Sequence, residues 1–123
     1  MDQAVQQALA HDTLIDITTT GRKTGRQYRK ELAFHVTDGR LYLTGRPGRR
    51  GWYANMLANP DFIIHLKQSL KRDVPGKATP ITDKARRRAL FQRMKALETR
   101  LASWNVDDMV ERSPLVEVDL GSS

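Results

Sequence analysis

Cysteine is absent from this 123-residue chain, which excludes a disulfide scaffold, thiolate metal ligation and a cysteine nucleophile in one step. Histidine occurs only at positions 11, 35 and 65, on separate predicted elements, so a metal site would need all three to converge and none is expected. HExxH, GxSxG and paired-carboxylate spacings are missing, which leaves hydrolases and metalloenzymes without positive support. No apolar run approaches membrane-spanning length, and the opening Met-Asp-Gln-Ala has neither a basic leader nor an apolar signal segment. A soluble, cytoplasmic protein with no membrane span is expected. Aromatic residues make up 7% of the chain, and no strand carries the stacking pair that an RNA-recognition or OB surface displays.

Acidic residues are also in deficit. Lys and Arg number 21 against 14 Asp and Glu, for a formal charge of +7 and a pI near 10.1. That balance favours an anionic partner without choosing among nucleic acid, an acidic membrane surface and a polyanionic cofactor. The length accommodates one hydrophobic core, so residues 1–123 are taken as a single domain.

The charge is concentrated. Between Arg22 and Lys30 five of nine residues are cationic and none is acidic, and the stretch opens on Gly21 and passes through Gly25. Glycines that let the backbone bend, with exposed N–H groups and fixed positive charge converging on one point, suit a bound phosphate. A phosphate-bearing ligand is the working premise.

Along the chain, residues 2–10 have helix-forming content with Val5 and Leu9 on one side. Thr13 to Thr20 alternates as a strand with Ile15, Ile17 and Thr19 on one face. A second strand follows from Arg29, with Lys30, Leu32, Phe34 and Val36 opposite Glu31, Ala33, His35 and Thr37. Asp38-Gly39 marks a two-residue hairpin into a strand whose Leu41 and Leu43 face inward, opposite Tyr42. Residues 45–51 hold three glycines and a proline, so they form a second basic loop. A short helix groups Trp52, Met56 and Leu57 and stops at Asn59-Pro60, and Asp61 to Lys67 alternates as a strand.

In residues 69–81, Val74-Pro75-Gly76 predicts two short pieces around a bulge or turn. Thr82 or Asp83 caps a helix with a stripe of Leu90, Met94, Leu97 and Leu101, completed by Trp104, and a polar face of Arg86, Arg87, Lys95 and Arg100. Asn105 to Arg112 is expected to be irregular, and Leu115 to Leu120 alternates as a closing strand. Strands in a meander with helices inserted late imply a small barrel in an α+β domain.

Thr18-Thr19-Thr20-Gly21-Arg22-Lys23-Thr24-Gly25 resembles the signature of the deazaflavin-dependent nitroreductase family. The likeness continues through Asp38-Gly39-Arg40 and Leu41-Tyr42-Leu43-Thr44-Gly45, then Trp52-Tyr53-x-Asn55-x-x-x-Asn59-Pro60 and Ala78-Thr79-Pro80-Ile81-Thr82-Asp83, covering residues 13–90. It implies an FMN-binding-like split β-barrel of about six antiparallel strands, with a short helix after the third strand and a longer one near the C-terminus. It further implies coenzyme F420, with FMN as the alternative, and an oxidoreductase that passes a hydride to a small conjugated acceptor such as a quinone or enone.

By the same resemblance, Arg22, Lys23 and Thr24 bind the cofactor's phosphate and acidic tail, with Arg26 beside them. Thr44, Gly45 and Arg46 approach the deazaflavin ring. Trp52 and Asn55 form the cofactor wall, although Trp52 reads equally well as core. Tyr28 stands where the family places an arginine, and Arg29 is expected on the opposite strand face. No catalytic residue is singled out, because the reactive carbon belongs to the cofactor. No tyrosine follows Tyr53, which argues against nitroimidazole reduction. A homodimer is expected. The competing readings are a carrier of a small or lipid-like ligand without turnover, and a nucleic-acid-binding basic module, which the thin aromatic supply disfavours.

Overall fold

The computed structural model describes residues 2–121. Six strands, β1 (Leu14–Thr20), β2 (Gln27–Thr37), β3 (Arg40–Thr44), β4 (Asp61–Leu66), β5 (Arg72–Pro80) and β6 (Leu115–Asp119), close an antiparallel barrel in the order β1-β2-β3-β6-β5-β4. Helix α1 (Gln3–His11) precedes the barrel, α2 (Gly51–Ala58) follows β3, and α3 (Lys84–Leu97) and α4 (Val106–Arg112) lie between β5 and β6. Period-two alternation fills the interior: Ile15, Ile17, Leu43, Ile64 and Val116 are almost wholly buried, each burial being worth about 1.5–3 kcal/mol. The β2–β3 hairpin turns on Asp38 (φ 51°) and Gly39 (φ 79°), the two positive angles that a two-residue connection with the right twist demands.

A second apolar layer covers part of the barrel's outside. Phe91 and Met94 of α3, Met109 and Val110 of α4, and Ile81 and Leu115 pack with Tyr42 from the outer side of β3. This layer buries residues that strand alternation placed away from the core. His35 is 4% exposed, with Nδ1 3.0 Å from the Glu98 carboxylate and its ring edge-on to Trp104 at 5.3 Å. Thr37 is buried with it, whereas Val36, beside the hairpin turn, stays open to solvent.

Four expectations change. Residues 72–80 form one strand rather than two pieces. Pro75 fits because β6 pairs only with Lys77–Pro80, so the preceding residues have a neighbouring strand on the β4 side alone. The segment expected to be irregular is helix α4, capped by Asn105 Oδ1, which accepts from the Asp108 amide at 3.0 Å. Leu57 faces solvent, since Asn55 takes a buried place on α2 with Trp52 and Met56.

The largest change concerns α3. Its buried face is Arg87, Phe91 and Met94, and Leu97 is 49% exposed. Arg87, read as part of the polar face, donates to the carbonyls of Val110 (2.9 Å), Ile81 (2.9 Å), Met109 (3.0 Å) and Ser113 (2.5 Å). Three of these belong to the C-terminal turn of α4 and its cap; Met109 already accepts from the Ser113 amide at 2.9 Å, whereas Val110 and Ser113 lie past the last intrahelical bond. One buried guanidinium thus satisfies a helix end and fixes α4 against α3.

Arg87→Met is expected to lower the free energy of unfolding by about 3 kcal/mol, read from urea denaturation, because the Val110, Ile81 and Ser113 carbonyls lose the guanidinium donor. Burial pushes His35 below its ordinary value, partly opposed by Glu98, with Arg100 adding to the depression. The folded state therefore holds His35 neutral, and its stabilising contribution is present above pH 6.5 and lost as pH falls below it, where the unfolded chain binds the extra proton. Thermal melts from pH 7.5 down to 5 should show that loss in the native sequence and a shallower one in His35→Gln.

Candidate functional site

Gly21 ends β1 in a tight turn. Its N–H donates to the Arg26 carbonyl at 2.6 Å, and the Gly25 N–H returns to the Gly21 carbonyl at 3.0 Å. A Cβ on Gly21 would lie 2.6 Å from the Tyr28 ring and 3.2 Å from the Arg26 carbonyl, so a side chain there would displace the ring and press on the turn, and Gly25 takes φ 72°. Among the described residues the amides of Lys23 and Thr24 have no partner, which leaves two donors at the apex of the turn.

Asn55 holds this turn against the barrel. It is 5% exposed, its Nδ2 donates to Thr19 Oγ1 at 3.1 Å, and its Oδ1 accepts from the Arg22 amide at 3.3 Å. Trp52, one helical turn earlier on α2, is 8% exposed and belongs to the barrel core while also bordering the cleft beside the turn. The two readings of Trp52 are therefore compatible.

The cleft measures about 510 Å³, and six of its thirteen lining residues are Arg or Lys while none is Asp or Glu. Arg22, Lys23, Thr24, Trp52 and Asn55 come together here. Arg29, expected on the other face, joins them while pairing with Asp16 at 2.9 Å, and hydrogen bonds from Lys67 and Arg29 hold the Asp16 carboxyl below the usual range. Lys30, Arg49 and Arg50 complete the positive lining.

Four predicted residues lie outside that lining. Arg26 is exposed beyond the turn. Thr44 is buried and donates its hydroxyl to the Pro114 carbonyl at 2.5 Å, so it ties β3 to the segment before β6. Arg46 is exposed and offers its carbonyl to Arg50 at 3.0 Å. Gly45 lies beneath the Arg50 guanidinium, where a Cβ would meet Nε at 3.5 Å. Arg50 thereby folds the second loop so that Arg49 and Arg50, rather than Arg46, reach the cleft. The sequence marked this loop as basic; which of its arginines turn inward depended on the loop's own hydrogen bonds.

The distribution of charge is decisive. Among the described residues, ten of the 21 Lys and Arg pair with a carboxylate, leaving eleven, of which Arg22, Lys23, Arg26, Lys30, Arg46, Arg49 and Arg50 all belong to the two basic loops and the strand start between them. Arg87 and Lys95 are spent on backbone carbonyls. Apart from Lys71 and Lys77, the uncompensated positive charge thus gathers in the two basic loops and the start of β2.

A model of the F420H(2)-dependent quinone reductase family matches residues 2–119. The chain belongs to this family. Its cofactor is coenzyme F420, and it is an F420-dependent oxidoreductase, in agreement with the cofactor implied by the glycine-turn signature. No curated protein matches at a significant level. Among solved structures the quinone-reductase fold resembles an FAD-binding protein of Mesorhizobium loti, at 15% identity over 99% of this chain and 91% of that one, TM-score 0.69. It also resembles an F420-H2 dependent reductase, at 18% identity over 87% and 94% of the chains, TM-score 0.60. A conserved hypothetical protein of Mycobacterium tuberculosis aligns at 15% identity over 99% and 82%, TM-score 0.71. At these identities the likeness establishes the split-barrel fold.

The residues present fit such a cofactor. A carboxylate-free cleft with six cations, beside a turn with two free amides, suits a phosphodiester and acidic tail, and Trp52 borders it. Gly21→Ala is expected to abolish measurable F420 binding, followed by the cofactor's fluorescence anisotropy, while far-UV circular dichroism stays near native. Asn55→Leu should weaken binding about tenfold by releasing the turn from α2.

Proposed function

We propose that the protein binds F420H2 through the cationic cleft and reduces a small conjugated acceptor, a quinone by preference. The observation that carries this reading is the gathering of uncompensated cations around a glycine turn with free amides. F420H2 supplies a hydride from C5 of its deazaflavin ring. The chain's contribution is to bind and orient: Arg22 and Lys23 hold anionic oxygens, Asn55 fixes the turn that presents them, and Trp52 borders the apolar side.

A nucleic-acid interface has less support. The Arg-rich helix α3 is largely committed, since Lys84, Arg86 and Arg93 pair with Glu111, Glu117 and Asp38 at 3.0, 2.9 and 3.1 Å, and Arg88 pairs with Asp107. What remains free is concave and local, whereas phosphate-backbone binding uses cations spread along a surface.

The test is a parallel titration of purified protein with F420, FMN and a single-stranded oligonucleotide at moderate salt. Saturable F420 binding is expected, and Lys23→Ala should raise its Kd at least about tenfold through loss of a charge-assisted contact. Absence of F420 binding with tight, salt-sensitive oligonucleotide binding would overturn the proposal.

A further inference from the structure

A second cleft, of about 600 Å³, adjoins the cationic one, and Arg49 borders both. Of the consecutive residues on α2, Trp52 lines the first and Tyr53 the second, with their rings edge-to-face at 6.1 Å and 83°. Ile81, Val110 and Pro114 give the second cleft an apolar side. A concave space of this size, with one apolar side and a few polar groups beside it, suits a flat ring system bearing a polar atom.

The donors are selective. Lys84 pairs with Glu111, Arg112 with Asp108, and Arg87 is spent on four carbonyls. Among the described residues, the side-chain donors of Arg49 and the Tyr53 hydroxyl have no partner in the structure. Ser113, 5% exposed and bordering the same cleft, keeps a buried hydroxyl without any hydrogen bond. Buried hydroxyls are nearly always satisfied, so this one is an unexplained donor at the cleft's border.

We propose that this second cleft is the acceptor subsite, and that Tyr53 and Arg49 donate to one carbonyl oxygen of a bound quinone. The inference rests on the F420 reading above, because the acceptor must lie against the reduced cofactor, and the shared Arg49 makes the two spaces neighbours. The quinone takes up a hydride, two electrons and one hydrogen, as the reduced deazaflavin is oxidised. The resulting hydroquinone anion takes one proton from solvent. Negative charge develops on the carbonyl oxygen during transfer, where donors fixed beforehand are most effective. Tyr53 is thus a substrate-binding residue and sets a preference for acceptors bearing a carbonyl on an aromatic or quinonoid ring.

The test uses the cofactor-free protein in a Trp104→Phe background, so that Trp52 is the remaining indole, with the soluble naphthoquinone menadione as probe. Saturable quenching of Trp52 is expected, and Tyr53→Phe should raise the menadione Kd about tenfold. The same substitution should leave the F420 Kd within twofold, and in turnover it should raise KM for menadione. Unchanged menadione binding in Tyr53→Phe, or no saturable quenching in the parent, would overturn the proposal. A parallel loss of F420 affinity would also overturn it, by assigning the second cleft to the cofactor. Failure of the parent protein to bind F420 is a different result, and it defeats the underlying cofactor reading rather than the placement of the acceptor.

Discussion

The amide of Asn55 joins the three parts on which the site depends. It bonds the barrel through Thr19, the basic turn through the Arg22 amide, and helix α2 through its own backbone. A buried amide has two donor hydrogens and an acceptor oxygen to satisfy, and it specifies one geometry because every alternative leaves some of them unpaired in a low-dielectric interior. The glycine turn is therefore held at a fixed distance from the indole of Trp52. Without that joint, a turn bearing five cations within nine residues has every electrostatic reason to splay.

The molecule separates its charges by role. Away from the cleft, most cations are matched: Lys67 bonds Asp16, Arg93 closes on Asp38 beneath the hairpin, and Arg112 bonds Asp108 one turn earlier on α4. Such exposed pairs add little stability individually, but they neutralise the surface and leave the field of the protein dominated by the unmatched loops. The same division explains why a pI near 10.1 does not imply a general polyanion binder.

Packing has two layers with different tasks. The barrel interior, built from Ile15, Ile17, Leu43, Ile64 and Val116, carries the strand ends from which the basic loops emerge. The outer layer around Phe91, Met94 and Met109 closes the second cleft and is held at one corner by Arg87. His35 lies between Glu98 and Trp104 on the far side of that layer, so its protonation reports on the layer's integrity rather than on the cleft.

Much of this was legible in the residues. Alternation located β1, β3, β4 and β6; in β1 and β4 burial follows the two-residue period, whereas the outer layer also buries the second face of β3. Asp38-Gly39 located the hairpin through the positive φ that few other pairs accept. The density of cations around Gly21 and Gly25 marked the basic turn that borders the cationic cleft. Other features required the fold. Pro75 lies within a strand because its far edge is unpaired there, Arg87 is buried because α4 presents its carbonyls to it, and Arg49 replaces Arg46 in the cleft because Arg50 bends the loop. Local pattern fixes what a segment can do by itself. Whether a charged or polar side chain points inward is decided by partners distant in sequence, and only the tertiary structure supplies those.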